Sequence, residues 1–186
     1  YQYHETKSKW RQYFRSIKAH NCISFNGMNH ALSLGRMSWT NSSKVINKSF
    51  SFSDKIDKVL GKTDAFISQG LDYSREITID KELSKIRIID KLIYSRKKSG
   101  TASFYLHFHP NLNINHKQNI INIITQNGDS FKMENPIFKT AKLLKGNVEI
   151  PFGWYSDKYD MKQESFSLIS EFIVKKDVII TTEIFY

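Results

Sequence analysis

The 186-residue chain has one cysteine, three prolines and eight glycines. Cys22 therefore has no partner for an internal disulfide and cannot build a cysteine-rich zinc site. The scarcity of proline and glycine, beside 40% hydrophobic and 25% charged residues, excludes a collagen-like or low-complexity chain and leaves ample material for a core. No run approaches the roughly 18 apolar residues of a spanning helix, and no apolar segment follows a basic start. The chain reads as soluble, without a membrane span or signal peptide. Arginine is sparse too. The basic excess, 28 Lys and Arg against 18 Asp and Glu, is mostly lysine, with arginine only at Arg11, Arg15, Arg36, Arg75, Arg87 and Arg96. Bidentate phosphate and base-edge recognition favours arginine, so solvated lysines on exposed strand faces are the plainer reading and nucleic acid is not the expected partner. A net charge of +10 still raises the local concentration of anionic partners, acidic polysaccharide among them. The length fits one domain, taken over residues 1–186. The chain opens on Tyr1, and the run Tyr1-Gln2-Tyr3-His4-Glu5 alternates like the inside of an element, as a piece of something longer would.

Strand signals dominate what is present. Ala102, Phe104, Leu106 and Phe108 alternate with Ser103, Tyr105, His107 and His109, the period-2 pattern of a half-buried strand. Ile77 and Ile79 alternate with Glu76, Thr78 and Asp80, and Val178, Ile180, Thr182 and Ile184 repeat the pattern near the C-terminus. Between Ile88 and Ile89 the apolar phase changes, which predicts a bulge and local curvature. Residues 166–174 are apolar on both faces, as in a central strand. Asn26-Gly27, Ser99-Gly100 and Asn127-Gly128-Asp129 are hairpin candidates. Residues 40–54 and 111–117 read as long loops. No segment sustains a capped 3.6-residue period. The fold class is therefore all-β, an antiparallel β-sandwich of about ten or more strands.

The chemistry-bearing segment is residues 10–27, where Trp10, Arg11, Tyr13, Phe14, Arg15-Ser16 and Ala19-His20-Asn21 lead into Cys22, Ile23 and the Asn26-Gly27 pair. Together with Tyr1 and Tyr3, this block resembles the C-terminal β-domain of the heparinase II/III-like polysaccharide lyases. That family carries a Tyr-x-Tyr, then Arg-x-Tyr-x-Arg-Ser-Thr, Ala-His-Asn-Thr-Val and an Asp-Gly turn. Trp39, Tyr73-Ser74-Arg75-Glu76-Ile77, residues 86–92 with Asp90, Leu106-His107-Phe108-His109-Pro110 and Trp154-Tyr155-Ser156-Asp157-Lys158-Tyr159 extend the likeness over essentially the whole chain. Three positions depart from the pattern: Cys22 stands for the family threonine, Asn26 for its aspartate and Ser74 for its histidine.

The resemblance implies an α/α-toroid domain ahead of a β-sandwich, the pair cleaving acidic, uronate-containing glycans such as glycosaminoglycans by β-elimination at the cleft between them. It places His20 as one ligand of a metal, often zinc, whose other ligands lie upstream. A full-length parent is thus expected to hold zinc and this chain alone none, since one ligand falls short of the usual three or four. It also places Tyr1, Tyr3, Arg11 and Arg15 near the cleft edge, with no catalytic residue assigned. The implied partners are an acidic polysaccharide and the missing toroid. Family members are often periplasmic or exported, which is the localisation expected. A non-catalytic carbohydrate-binding or scaffold module with the same fold is the rival reading.

Other residues have plainer roles. His107 and His109 share a strand face and could offer two nitrogens to an ion, but no third ligand accompanies them. Trp39 is expected in the core, and Cys22 as a small buried residue.

Overall fold

The computed structural model describes residues 7–95 and 99–186, and Tyr1 and Tyr3 lie outside them. A short helix α1 (Lys9–Arg15) opens the described chain. The strands follow as β1 (Ile23–Phe25), β2 (Leu32–Leu34), β3 (Ser38–Thr40), β4 (Val45–Ser51), β5 (Ile56–Thr63), β6 (Leu71–Asp80), β7 (Lys85–Tyr94) and β8 (Gly100–His107). Then come β9 (Asn113–Lys117), β10 (Ile120–Ile124), β11 (Ser130–Glu134), β12 (Lys142–Lys145), β13 (Trp154–Tyr155), β14 (Gln163–Glu164), β15 (Phe166–Val174) and β16 (Val178–Phe185). All pairings with a resolved register are antiparallel, so the all-β class expected from the alternation is the class observed.

The chain divides into two compact units. One comprises Tyr1–Ser42, Thr101–Leu112 and Ala141–Phe172. Its main sheet has the order β1-β8-β15-β12, beside the small pairs β2-β3 and β13-β14. Ile23, Phe25, Ala102, Phe104 and Leu168 supply its buried apolar residues.

The other unit comprises Ser43–Gly100, Asn113–Thr140 and Ile173–Tyr186. It is an eight-stranded sheet, β4-β5-β6-β7-β16-β11-β10-β9. Leu71, Leu92, Ile121, Met133 and Ile180 are buried there. At its centre Arg75 stands directly opposite Asp90 and grips it with two bonds, Nε to Oδ1 at 2.7 Å and a terminal nitrogen to Oδ2 at 3.0 Å. The Tyr73 hydroxyl donates to the same carboxylate at 2.7 Å, and Asp90 is fully buried. The arginine of the Tyr-Ser-Arg segment and the aspartate of residues 86–92 are thus partners in one buried ion pair.

Several expectations are corrected. Residues 40–54 and 111–117 are not loops, because each contains a strand, β4 and β9. Every residue of β4 is exposed, so no inward-facing phase marked it. The phase change at Ile88 and Ile89 is not a bulge: β7 keeps unbroken register with both neighbours, and the two isoleucines simply occupy opposite faces. Asn26-Gly27 is a tight turn with both φ angles positive, 49° and 69°, but the strands it joins do not pair with each other. Asn127-Gly128-Asp129 does close a hairpin, β10 to β11. For Ser99-Gly100, β7 and β8 are not neighbours in a sheet, and residues 96–98 lie outside the described chain. Trp39 is 45% exposed rather than in the core. It sits on the β2-β3 pair, whose strand residues are almost all exposed.

Candidate substrate-cleft site

Helix α1 begins at Ser8, whose hydroxyl lies 3.5 Å from the Arg11 amide, and ends at Ser16, whose amide and hydroxyl both donate to the Tyr13 carbonyl. Its seven residues are too few for a visible helical period, which is why the sequence pattern missed it. The helix nevertheless puts Arg11 and Arg15 four apart, on one face. Arg11 is buried, 3% exposed, and its guanidinium donates to the carbonyls of Gly35 and Arg36. Arg15 donates to the Arg36 carbonyl at 2.9 Å and lies 4.0 Å above the Trp39 ring. Both arginines therefore clamp the β2-β3 turn, which Gly35 enters with a φ of 59°.

Only Arg15 presents its cation beside an exposed aromatic face. Burial and the neighbouring Arg11 charge pull its pKa below the ordinary arginine value, and among the described residues no carboxylate pairs with it. A cavity of about 500 Å³ opens here, lined by Arg11, Gln12, Arg15, Asn29, Leu34 and Gly35.

His20 follows a 3-10 turn, Ile17–Ala19, and is exposed. The turn is held from several sides. The Ile17 amide donates to Asn29 Oδ1 at 2.9 Å, the His20 amide to the Ile17 carbonyl, and the Cys22 amide to the His20 carbonyl. Next, Asn21 Oδ1 accepts the His107 amide at 2.6 Å, and at the far end Asn26 Oδ1 accepts the Thr101 amide at 2.9 Å. The three-residue strand β1 is thereby stapled to β8 by a side chain at each end. Cys22 is half-buried, its Sγ 3.5 Å from the carbonyls of Ile17 and His20.

The other face of β8 departs from the half-buried pattern. Ser103 and Tyr105 are buried despite their polar phase, at 7% and 3% exposure. Phe152 covers this face, its ring 6.2 Å from that of Tyr105 and 5.6 Å from that of His107. A contact from some 45 residues away leaves no mark on local alternation. His107 turns inward, with Nδ1 2.7 Å from Ser167 Oγ. Burial pushes its pKa down to about 4, nearby His20 adds to this, and the facing Lys18 carbonyl opposes it. Burial likewise pushes the Tyr13 hydroxyl up to about 12, against the pull of the Trp154 and Gly153 amides.

Of the imidazoles here, that of His20 is exposed, His107 Nδ1 lies against Ser167 Oγ, and His109 meets Tyr155 edge-on at 5.0 Å. Among the described residues no group of three or more His, Cys, Asp or Glu is placed to hold an ion.

The family model for the heparinase II/III-like C-terminal region matches residues 1–182. The chain belongs to this family. Solved structures agree on the fold. Heparan sulfate lyase HepC from Pedobacter heparinus superposes with a TM-score of 0.70 at 13% identity, over 95% of this chain and 25% of that one. A crystal structure of heparinase III gives 0.68 at 14% identity, with the same coverage. The heparinase III BT4657 gene product gives 0.66 at 15%, again over 95% and 25%. The heparinase-like chain thus spans about a quarter of the length of these solved lyases. No curated protein sequence matches it. Among the described residues no helix is long and apolar enough to cross a membrane.

Proposed function

We propose that this heparinase-like chain is the C-terminal part of a polysaccharide lyase that cleaves uronate-containing glycans by β-elimination, inactive by itself without a toroid domain. The observation that carries the reading is the exposed His20 imidazole, on a turn anchored through Asn21 of the same Ala-His-Asn block that resembles the family motif. In such a reaction a base removes the C5 proton of a uronate, positive groups neutralise its carboxylate, and an acid protonates the departing 4-oxygen. This chain's contribution to the cleft edge is the Arg15 cation beside the open Trp39 face, with Arg11 holding the β2-β3 turn next to Trp39. His20 would add one ligand to a zinc ion completed by upstream residues of the parent. Tyr1 and Tyr3 remain cleft-edge candidates on the resemblance alone. Secretion or a periplasmic location fits a polymer substrate.

The test is the full-length parent with heparin, hyaluronan and alginate, followed by the ultraviolet absorbance of the unsaturated uronate product. Cleavage of at least one glycan, lost in His20→Ala, is the expected result. No rise with any acidic glycan overturns the reading. Activity untouched by His20→Ala favours instead a binding or scaffold module, for which the Arg15-Trp39 platform is the supporting feature.

A further inference from the structure

The polar face of the four-stranded sheet is only partly covered. Where Phe152 ends, the same face continues into an open groove of about 610 Å³, within the range of about 300–1,000 Å³ usual for small-ligand sites. Ser103, Ile169 and Glu171 form the floor. Lys18 and Lys142 stand on the rim. Ile150 and Pro151 form a wall.

That wall is built in advance. Residues 146–153 close on themselves through Gly146 N–H to the Gly153 carbonyl at 3.0 Å and Asn147 N–H to the Phe152 carbonyl at 2.9 Å. The Asn147 side chain accepts the Ile150 amide at 3.1 Å. The Trp154 indole donates to the Asn147 carbonyl, and Lys9 Nζ to the Val148 carbonyl, both at 2.9 Å. Binding here would therefore meet little ordering cost.

The charges around the groove do not cancel one another. Glu171 takes a hydrogen bond from the Ser103 hydroxyl at 3.3 Å, yet among the described residues neither it nor Lys18 nor Lys142 enters an ion pair. An oriented carboxylate suits hydroxyl donors, two rim ammonium groups suit acidic substituents, and the apolar wall suits the C–H faces of a pyranose. A nucleotide fits poorly, since the groove has no arginine and its one tyrosine, Tyr105, is buried.

We propose that this groove binds a short stretch of acidic glycan, at a site distinct from the exposed His20 ring and the Arg15-Trp39 face, its rim residue Lys18 standing on the turn that precedes His20. The choice of glycan rests on the lyase reading above, whereas the groove and its charges do not.

The 186-residue chain titrated with hyaluronan and heparin-derived tetrasaccharides, by calorimetry and amide chemical shifts, tests this. Saturable binding to at least one of them is expected, with shifts at Thr101, Ser103 and Glu171. Lys142→Ala and Glu171→Ala should each weaken it about tenfold, the loss of one hydrogen bond to a charged group. Lys175→Ala, at an exposed turn outside the groove, should leave it unchanged. Circular dichroism checks folding, and Lys18→Ala replaces either groove variant that does not fold. No saturable binding, wild-type affinity in the groove variants, or shifts confined to Arg15 and Trp39 overturns the proposal. A parent that cleaves glycan with unchanged KM in both groove variants sinks the groove and spares the lyase reading. A parent that cleaves nothing, while the chain binds through the groove, does the reverse.

Discussion

The Asn21 carboxamide oxygen accepts the backbone N–H of His107 at 2.6 Å, although the two residues are 86 apart in sequence. The bond extends the β1-β8 ladder ahead of β1, past the Tyr105 N–H to Cys22 carbonyl bond, and it explains why an asparagine follows the histidine: His20 faces outward while Asn21 anchors the turn. Asn21→Ala should lower stability by about 1 kcal/mol, the net worth of one such bond, whereas Asn21→Asp keeps the acceptor and most of the stability. Urea unfolding of the three proteins measures the difference. Equal midpoints for Ala and wild type would remove the anchoring role.

Arg75 and Asp90 form the other side-chain relationship on which the fold depends. Because Asp90 is fully buried, Arg75→Ala strands a carboxylate away from water and should destabilise the protein by about 3 kcal/mol. Tyr73→Phe removes one of the bonds to the same carboxylate and should cost about 1 kcal/mol. The order of the two denaturant midpoints is the check, and a milder effect from Arg75→Ala than from Tyr73→Phe contradicts the assignment.

Gly153 sits at φ 77°, and a Cβ there would lie 2.9 Å from the Gly146 nitrogen and 3.0 Å from the Leu144 carbonyl oxygen. Both obstacles are backbone, so neither can swing aside. Gly153→Ala should therefore destabilise by more than about 1 kcal/mol, which exceeds in size the gain the same substitution brings where the backbone is compatible. Gly27→Ala, with open space around its Cβ, carries only the conformational penalty and should be milder. Thermal unfolding of the pair separates the two cases.

Much of this architecture is legible in residue order, and what is not has identifiable causes. Strands β6, β8 and β16 announce themselves because one apolar phase runs through each. β4 and β9 do not, because edge strands with polar residues such as Asn47, Lys48, Asn113 and Asn115 look like loops. At the site, the Ala-His-Asn block is readable as a motif, but the roles within it are not. Arg11 and Arg15 look equivalent in sequence. Only the fold shows Arg11 buried against a turn and Arg15 stacked on an open ring. Phe152, Asn29 and Ser167, which shape the surroundings of His20 and His107, carry no local signal because each acts across a long sequence separation.

His107 gives the clearest dependence on pH. Desolvation is the leading cause that moves its pKa from an ordinary 6.5 to about 4, so the folded protein favours the neutral ring. The unfolded chain then binds more protons than the folded one between those values, and stability rises with pH across that window. The stabilisation is complete above about pH 6.5 and is lost as pH falls toward 4, with a full span on the order of 3 kcal/mol. Carboxylates such as Glu183, held below its usual range first by its hydrogen bond to Lys85, contribute mainly at the acid end of the scan. The comparison is therefore made against His107→Gln, which keeps a polar side chain toward Ser167 but does not titrate. Urea midpoints measured from pH 7 to pH 4.5 should fall steeply for wild type and much less for the variant. Parallel curves would mean that the buried imidazole is not the group that senses acid.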